Sequence, residues 1–588
     1  MNSKIVDIWI AGAAGDGVQS TSEMLAKIAA RCGLHVYIYN SYQSAIRGGY
    51  VYAQIRISAK KIRTPSDRWD ILVALNTDSI ERHKGWVKKE GVLIFNCDRA
   101  KAPGGLTGIG IPISEVVSNP LMQNTVFLGA ACALTGLPLE KFEKAILEVF
   151  GKKSQEVKDA NLKAAKEGAG RAKSLAGRFK LPVSDKSHIL ITGNQALAFG
   201  AAEGGVRFYS AYPMTPASGV LHWMADHAAK LGICVMQAED EISVINMAIG
   251  ASFAGARSMV ATSGGGFALM TEAVGLAAMT ETPLVAINVC RAGPSTGVPT
   301  KTEQGDLWQV LGAGQGDYPK AVIAPLDVED CFYMVQHSLN LADRYQIPVL
   351  MISDLLLSEH NETLEALDPK RIKIDRGEWA GTNGAGQFLR YLYTPGGVSP
   401  RAKPGMPDQY IFTAASDDHR ESGTLISDVD TDPVERKKMM EKRMRKMEGI
   451  LKEMPPNVLI GEPKADLTLV GWGSGCGILT ELVARAKEEG KKVNALAIRS
   501  VWPFLSKEVA GVLTKAKGVM MIENNFTGQM AKLIRQETGF EIPHLCLKYD
   551  GEPFYLESTW PMVQKALKGK AQAREVILTP YGLAEDKG

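Results

Sequence analysis

No two of the eight cysteines lie close enough together in the sequence to act as a ligand pair for zinc or for an iron–sulfur cluster. They are spread along the chain as Cys32, Cys97, Cys132, Cys234, Cys290, Cys331, Cys476 and Cys546. This scatter predicts that the chain holds no metal of its own, and it is typical of proteins from a reducing compartment. We therefore expect a cytoplasmic protein.

The sequence also lacks a long apolar run and a strong charge of either sign. No stretch reaches the roughly 18 apolar residues of a membrane span, and the N-terminal run in MNSKIVDIWIAG is too short for a signal peptide. A net charge of +3 gives no argument for binding nucleic acid or an anionic membrane. The partners of this chain must be inferred from local chemistry.

The pattern along the chain is that of an α/β protein. Apolar strand-like runs alternate with helical segments, which predicts parallel sheets covered by helices. The 588 residues exceed what one core supports. The division that we predict is three α/β domains, residues 1–185, 186–367 and 466–588, with an irregular Gly- and Pro-rich segment at 368–465.

Three further expectations concern segments near the domain boundaries. The strand ILITGN is expected to open the second domain. The Lys-, Ala- and Glu-rich helix at 154–180 has the composition of a solvated connector, and the basic helix at 433–452 that of a solvated amphipathic helix.

Two glycine-rich turns mark the first domain. The first strand runs into Gly12 to Gly17 and then into a helix, an arrangement that aims backbone N–H groups at a phosphate, although tight packing explains the glycines equally well. Arg47-Gly48-Gly49 joins two later strands. There an arginine beside uncrowded backbone suits an anion, while a solvated turn is the simpler interpretation.

The second domain concentrates the chemistry-bearing residues. FYSAYPMTPASG contains Thr215, QAEDE ends at Glu241, and NVCRAGPSTG contains Arg291. Each residue follows a strand-like run. Because ligands bind beyond the carboxyl ends of parallel strands, we expect these three residues to lie together.

These motifs resemble a known family. Tyr212-Pro213-Met214-Thr215-Pro216 resembles the YPITP motif of the 2-oxoacid:ferredoxin oxidoreductases, and EDEISVINMAIGASFAGARSMVATSGGG resembles the thiamine-pyrimidine segment of their α subunit. RAGPSTG resembles the arginine loop, and WGSGCG with IENNFTGQ a transketolase C-terminal-type domain. The first domain resembles a γ subunit that is separate in other members. The resemblance spans nearly the whole chain and is strongest to the fused γ–α subunit of 2-oxoglutarate:ferredoxin oxidoreductase.

The resemblance implies a role for each motif. The subunit would help convert 2-oxoglutarate, CoA and oxidised ferredoxin to succinyl-CoA, CO₂ and reduced ferredoxin, a step of the tricarboxylic acid cycle. Glu241 would hold a proton for the aminopyrimidine of thiamine diphosphate, since a buried carboxyl has a raised pKa. Arg291 and Thr215 would act in catalysis and hold the oxoacid, with Thr300 lining the same pocket.

Simpler interpretations of these residues remain. The acidic run before Glu241 also favours a helix N-terminus, Arg291 also fits a surface arginine, and Thr215 also fits a turn hydroxyl. The resemblance assigns further contacts to the cofactor, namely Pro213, Gly264 and Gly265, and to CoA, namely Arg47, Gly48, Gly49 and Gly475. Gly265 is a departure from the family pattern, because thiamine enzymes often have Pro there.

Two parts of the reaction are missing from the sequence. Gly15-Asp16-Gly17 with Asn40 imitates the Mg²⁺-diphosphate motif of thiamine enzymes but lacks its second Asn, so we treat it as coincidental. Ligands for an electron-accepting cluster are also missing. The resemblance places Mg²⁺ and a [4Fe-4S] cluster on a smaller β subunit, in an (αβ)₂ heterotetramer that shares the thiamine diphosphate and reduces ferredoxin.

Three other functions stay open. The same chemistry could act on pyruvate or a branched-chain 2-oxoacid. A non-redox thiamine enzyme of the transketolase type would need its own diphosphate motif. A nucleotide-binding or assembly protein without chemistry would use the turn from Gly15 to Gly17.

Overall fold

The computed structural model describes residues 5–42, 49–119, 122–149, 153–380, 388–404, 406, 416–426 and 431–579. The strands are β1 Ile5–Ala13, β2 His35–Ser41, β3 Tyr50–Ser58, β4 Trp69–Ala74, β5 Val87–Asn96, β6 Thr107–Ile111, β7 Ile189–Thr192, β8 Phe208–Ala211, β9 Cys234–Gln237, β10 Ser258–Thr262, β11 Leu284–Cys290, β12 Ala321–Ile323, β13 Pro348–Asp354, β14 Asn361–Leu364, β15 Val458–Ile460, β16 Leu467–Trp472, β17 Val493–Ile498, β18 Ser500–Trp502, β19 Val519–Glu523, β20 His544–Leu547 and β21 Arg574–Val576.

The helices cover the faces of the sheets. They are α1 Val18–Arg31, α2 Thr77–His83, α3 Ile113–Val116, α4 Gln123–Thr135, α5 Leu139–Val149, α6 Gln155–Arg171, α7 Gly193–Glu203, α8 Ser218–Leu231, α9 Glu241–Phe253, α10 Gly264–Met279, α11 Leu307–Leu311, α12 Val328–Tyr345, α13 Leu355–Glu359, α14 Pro433–Glu453, α15 Gly475–Glu488, α16 Ser506–Leu513, α17 Gln529–Thr538 and α18 Leu556–Leu567. Within the described ranges, none of these helices has both the length and the apolar composition that crossing a membrane requires.

The strands form three sheets, which confirms the predicted α/β class. The first has the order β6-β5-β4-β1-β3-β2-β14-β7, the second β18-β12-β13-β11-β10-β8-β9, and the third β15-β17-β16-β19-β20-β21. The second is parallel except for β18, and the third is parallel except for β15. The carboxyl ends of β8, β10 and β11 therefore meet at one edge.

The first sheet contains strands from both sides of the predicted boundary at residue 185. β14 pairs antiparallel with β2, and β7 pairs antiparallel with β14. The strand ILITGN, expected to open the second domain, is thus part of the first sheet, and that expectation is wrong. β14 covers the edge that β2 would otherwise leave unpaired, and β7 in turn covers the edge of β14. The domain boundaries themselves stay predictions.

Helix α6 is a packed element, so the connector prediction for 154–180 is wrong. It crosses α4 so closely that an added Cβ on Gly129 would lie 2.1 Å from the Ala165 carbonyl oxygen, and one on Gly168 would lie 1.8 Å from that of Val126. Only glycine permits this approach. The charge-rich composition of α6 describes its outer face alone.

Helix α14 is also less solvated than its basic composition predicts. The side chains of Lys442 and Lys446 are fully buried and both donate to Glu281, at 2.5 and 2.6 Å. Glu281 follows the end of α10, and the two ammonium groups hold the pKa of its carboxyl well below the usual range despite the opposing effect of burial. One carboxylate therefore anchors the irregular segment to the second domain.

Replacing Glu281 by Gln should lower the stability of the protein strongly, because two buried ammonium groups would lose their counter-charge. Removing one partner of a buried ion pair typically costs about 3–5 kcal/mol. Thermal unfolding followed by circular dichroism measures the effect. The control is Glu453→Gln, at the end of α14. Glu453 accepts from Arg344 and from the Tyr345 hydroxyl of α12, and this ion pair is partly exposed and worth about 1 kcal/mol or less. Equal shifts in the two variants would contradict this prediction.

Candidate active site

The loop after β8 and the end of β11 are held together by one hydrogen bond. The Arg291 guanidinium donates from Nη1 to the backbone oxygen of Thr215 at 2.6 Å. On the other side of the loop, Asn194 Nδ2 donates to the oxygen of Pro216 at 2.7 Å. Thr215 and Arg291 are both partly exposed; burial lowers the pKa of the Arg291 guanidinium, and the Asp306 carboxylate opposes that shift. The predicted proximity of Thr215 and Arg291 is thus observed.

Glu241 begins α9, and its side chain is directed inward. The N-cap is Asp240, whose carboxylate accepts from the Ser243 amide at 2.7 Å. Glu241 itself is only 3% exposed. The Thr262 hydroxyl lies 3.5 Å from Glu241 Oε1 and 3.8 Å from Met214 Sδ. Because Met214 adjoins Thr215, all three predicted catalytic residues belong to one contiguous site.

The surroundings of Glu241 favour its neutral form. Burial raises the pKa of this carboxyl, and hydrogen bonds from its own amide and from Thr262 offset the rise only in part. The acid can therefore retain a proton above the usual carboxyl range. The fully buried Ser263 hydroxyl, at the start of α10, has no hydrogen-bond partner among the described residues. The Ser263 hydroxyl is therefore free to form a hydrogen bond with a ligand in this part of the site.

The three glycines that open α10 differ in their need to be glycine. A Cβ added to Gly266 would lie 2.3 Å from Glu241 Oε1 and 2.2 Å from Thr262 Oγ1. One on Gly264 would lie 2.7 Å from Asp306 Oδ2, whereas one on Gly265 would meet nothing within 4 Å. The sequence motif GGG marks this site, but the residue that clears space at the acid is Gly266, which sequence reasoning missed. Pro213 is exposed on the same edge.

A cavity of about 880 Å³ opens beside Arg291 and Thr215, between the first and second domains. Its wall from the second domain includes Thr300, as the sequence predicts. Its wall from the first domain includes the β1–α1 turn and the ends of β2 and β3, namely Gly15, Gly17, Asn40, Ser41, Tyr42 and Tyr52. The glycine turn of the first domain therefore faces the same space as the arginine loop.

The candidate CoA residues are divided by the structure. Arg47 and Gly48 lie outside the described residues. The Gly49 oxygen accepts from the Ala14 amide at 2.7 Å, so Gly49 adjoins the turn that lines the cavity. Gly475 is not part of the cavity wall and begins α15 in the third domain. Gly17 is required by packing, since a Cβ there would lie 2.2 Å from Asn124 Nδ2, whereas Gly15 has open space.

A buried amide network fixes the loop that follows Thr300. Gln304 is 1% exposed, and its backbone N–H donates to the Asn524 oxygen at 2.7 Å. Its side-chain Nε2 donates to the Trp472 oxygen at 2.9 Å and to Asp354 Oδ2 at 3.1 Å. Asn525 Nδ2 donates back to the Gln304 oxygen at 3.0 Å. We call this set of bonds the Gln304 network. It attaches the loop to the strand ends of the third domain.

Two carboxyl groups of this loop also face the site, and sequence reasoning did not select them. Burial raises the pKa of Glu303 to about 7, with Asp306 and Asp550 adding to the rise. Burial likewise raises the pKa of Asp306, which accepts from Asn288 Nδ2 at 3.0 Å. The run TEQGD, directly after the arginine loop, is the signal that could have pointed to them, because acids in such a loop face a strand edge.

Several large apolar side chains on the elements that carry the site are exposed. Each of them is more than a third exposed, and we call them the apolar face: Tyr212, Met236, Ile242, Met247, Leu269 and Val298. They come from the β8–α8 loop, β9, α9, α10 and the arginine loop. Exposed apolar residues gathered around a site typically mark an interaction surface.

Comparisons with known proteins find matches along most of the chain. A family model for the thiamine diphosphate-binding domain of pyruvate flavodoxin/ferredoxin oxidoreductase matches residues 199–440. Models for pyruvate ferredoxin/flavodoxin oxidoreductase and for core domain II of pyruvate:ferredoxin oxidoreductase match residues 7–170 and 465–557. Together these matches follow all three sheets.

Individual relatives align over nearly their full length. The α subunit of a 2-oxoacid:ferredoxin oxidoreductase from Sulfolobus sp is 31% identical, covering 95% of this chain and 96% of that protein. The 2-oxoglutarate oxidoreductase subunit KorA from Mycobacterium tuberculosis is 30% identical, with 96% and 92% covered. A solved structure, the 2-oxoglutarate:ferredoxin oxidoreductase from Magnetococcus marinus with 2-oxoglutarate, coenzyme A and succinyl-CoA bound, is 34% identical, with 96% and 100% covered and a TM-score of 0.90.

The fold and the site thus define a subunit of an oxidoreductase with a thiamine diphosphate-binding domain. The chain belongs to the 2-oxoacid:ferredoxin oxidoreductase family, as an α subunit. The family resemblance predicted from the sequence motifs is confirmed.

The Gly266→Ala variant should lose most 2-oxoacid-dependent activity, because the added methyl group must displace Glu241 or Thr262. The measurement is 2-oxoacid-dependent dye reduction by the assembled enzyme, with thermal unfolding as a check on folding. Gly275→Ala on the same helix is the control, since its nearest contact would be an ordinary 3.5 Å to Gln315 Oε1. Alanine in that helix interior should be neutral or stabilising, by up to about 1 kcal/mol. Normal activity in Gly266→Ala would show that this space is not used.

Proposed function

We propose that this α subunit, together with a β subunit, converts 2-oxoglutarate and CoA to succinyl-CoA and CO₂ and passes the released electrons to ferredoxin. The observation that carries the proposal is the buried Glu241, whose pKa is raised by burial, in one contiguous site with Thr215 and Arg291, two residues that line a cavity of about 880 Å³. The choice of 2-oxoglutarate is supported by the relatives named for that substrate, at 30% and 34% identity.

The residues around Glu241 fit the aminopyrimidine end of thiamine diphosphate. Gly266 leaves space in front of the acid, and the Ser263 hydroxyl has free hydrogen-bonding capacity. Pro213, Gly264 and Gly265 are the proposed further contacts of the cofactor. Thiamine diphosphate, when bound, supplies a carbon nucleophile and an electron sink for decarboxylation. Glu241 would hold a proton at its carboxyl and offer it as a hydrogen bond to a ring nitrogen of the cofactor.

Arg291 and Thr215 then hold the oxoacid. The planar guanidinium suits the carboxylate that leaves as CO₂, and its bond to the Thr215 oxygen leaves further N–H groups for the substrate. The Thr215 and Thr300 hydroxyls are the proposed donors to the oxoacid oxygens. Together these groups orient the substrate before any bond breaks.

The first-domain wall of the cavity is the proposed place for CoA. Gly15 and the neighbouring Gly49 offer uncrowded backbone, and Arg47 and Gly48 of the same motif stay proposed contacts. Gly475 is the fourth proposed residue and would reach CoA only from the third domain. Access of CoA from this side would bring its thiol to the substrate that Arg291 holds.

A β subunit would cover the apolar face. The face includes residues of α9, the helix that Glu241 begins, and of α10, so a partner packed on it would close the cofactor site and exclude water. Among the described residues no group of His, Cys, Asp and Glu is arranged to hold a metal ion. As the family resemblance implies, we assign Mg²⁺, the diphosphate site and the [4Fe-4S] cluster to the β subunit of an (αβ)₂ assembly.

Substrate choice is tested with the reconstituted α and β subunits. CoA-dependent dye reduction should show the highest kcat/KM with 2-oxoglutarate, and lower values with pyruvate and branched-chain 2-oxoacids. A higher value for pyruvate would support the alternative substrate. Failure with every oxoacid, in a complex that is shown to be loaded with cofactor, would favour a binding or assembly protein.

Glu241→Gln should lower kcat about 10²- to 10⁴-fold, because an amide cannot supply the carboxyl proton. Steady-state kinetics of the loaded complex measure this loss. Glu239→Gln is the control: Glu239 is exposed and belongs to the same acidic run, so its activity should stay within about twofold of the wild type. Full activity in Glu241→Gln would remove the proposed role.

A further inference from the structure

A second buried carboxylate lies beside the cavity and has no part in the chemistry proposed above. Glu552 is 9% exposed and follows β20 in the third domain. Its Oε2 accepts from the hydroxyls of Tyr39 at 3.0 Å and Tyr555 at 3.2 Å. Its Oε1 accepts from the Tyr52 hydroxyl at 3.1 Å and from the Lys301 ammonium group. All four donors thus converge on one carboxylate, which saturates it.

These donors come from three different parts of the chain. Tyr39 and Tyr52 belong to β2 and β3 of the first sheet, Lys301 closes the arginine loop, and Tyr555 precedes α18. In addition, Lys301 Nζ donates to Ser41 Oγ at 2.7 Å. Ser41 and Tyr52 line the cavity. The Lys301–Glu552 pair therefore joins the first-domain wall to the arginine loop through the third domain.

The backbone connects this pair to Arg291. The Ala292 amide donates to the Lys301 oxygen at 3.0 Å, and the Lys301 amide donates to the Val298 oxygen at 3.0 Å. The next residue, Thr302, donates its amide to the Gly551 oxygen at 3.2 Å. Lys301 is thus the point at which the arginine loop closes on itself, and a displacement of its backbone would move the residue next to Arg291.

We propose that Glu552 and Lys301 are positioning residues of the 2-oxoacid site, which hold the arginine loop at a set distance from the first-domain wall of the cavity. This inference rests on the proposed function, in which Arg291 holds the oxoacid carboxylate. Neither residue is part of the cavity wall. They act by keeping Arg291 in the geometry for binding, where a shift of about 1 Å can cost about 100-fold in rate.

A second carboxylate, Glu481, provides a control that distinguishes this positioning role from a general contact between domains. Glu481 also joins the third domain to the first, accepting from Arg56 Nη1 at 2.9 Å and from the amides of Arg63 and Thr64 at 3.0 and 3.2 Å. It is not part of the wall of the large cavity. Loss of Glu481 should weaken the same domain contact without moving the arginine loop.

The experiment compares Glu552→Gln, Lys301→Met, the double variant and Glu481→Gln in the reconstituted holoenzyme. A glutamine at 552 places an amide N–H₂ against groups that donate, and it leaves Lys301 without a counter-charge. We expect the KM for the oxoacid to rise about tenfold in Glu552→Gln and in Lys301→Met, with a smaller change in kcat. The double variant should add little, since both substitutions break one unit. Glu481→Gln should keep the wild-type KM even if its thermal midpoint falls.

The outcomes are distinct from those of the proposed function. A wild-type holoenzyme that oxidises no 2-oxoacid would refute the function itself. With an active wild type, an unchanged KM in Glu552→Gln would overturn the inference. So would an equal rise of KM in Glu481→Gln, which would indicate domain docking alone, or fully additive effects of the two substitutions. A KM rise confined to Glu552 and Lys301, with the double variant no worse, supports it.

Discussion

The Gln304 network is the constraint on which the rest of the site depends. The buried side chain of Gln304 bonds to Asp354 and to the backbone at the ends of β16 and β19. The loop from Lys301 to Asp306 therefore cannot move without breaking several internal hydrogen bonds. Each such group, if left unpaired, would cost about 1–3 kcal/mol. The third domain thus contributes rigidity to a site whose reactive groups belong to the second.

The residues of the site that can be predicted are those marked by the sequence directly before them. Thr215, Glu241 and Arg291 each follow a strand-like run, and the edge of a parallel sheet brings such positions together whatever the loops between them do. Thr300 is predictable for the same reason, being in the loop after β11. The family motifs then supply the roles that position alone leaves open.

Other parts could not be predicted, because their meaning depends on partners far away in the chain. Glu552 meets Tyr39 and Tyr52 across about 500 residues, and nothing near Glu552 in the sequence marks it. Lys442 and Lys446 look like solvated residues of a basic helix until Glu281 is placed between them. Likewise α6 is recognised as a packed helix only from the close approach of Gly129 to Ala165 and of Gly168 to Val126. Composition describes the exposed face of an element, whereas tertiary contacts decide its buried face.

Because β14 pairs with β2, the first two domains are joined by strand pairing as well as by the peptide that connects them. The chain leaves the first sheet after β6, returns to it as β7 just beyond residue 185, and returns again as β14 after forming every strand of the second sheet except β18. A cut in the connecting peptide before β7 should leave the two fragments joined by the pairing of β14 with β2 and by the bonds of the Thr363 hydroxyl to His35 and Val36. One polypeptide and two non-covalent fragments would then share the same first sheet.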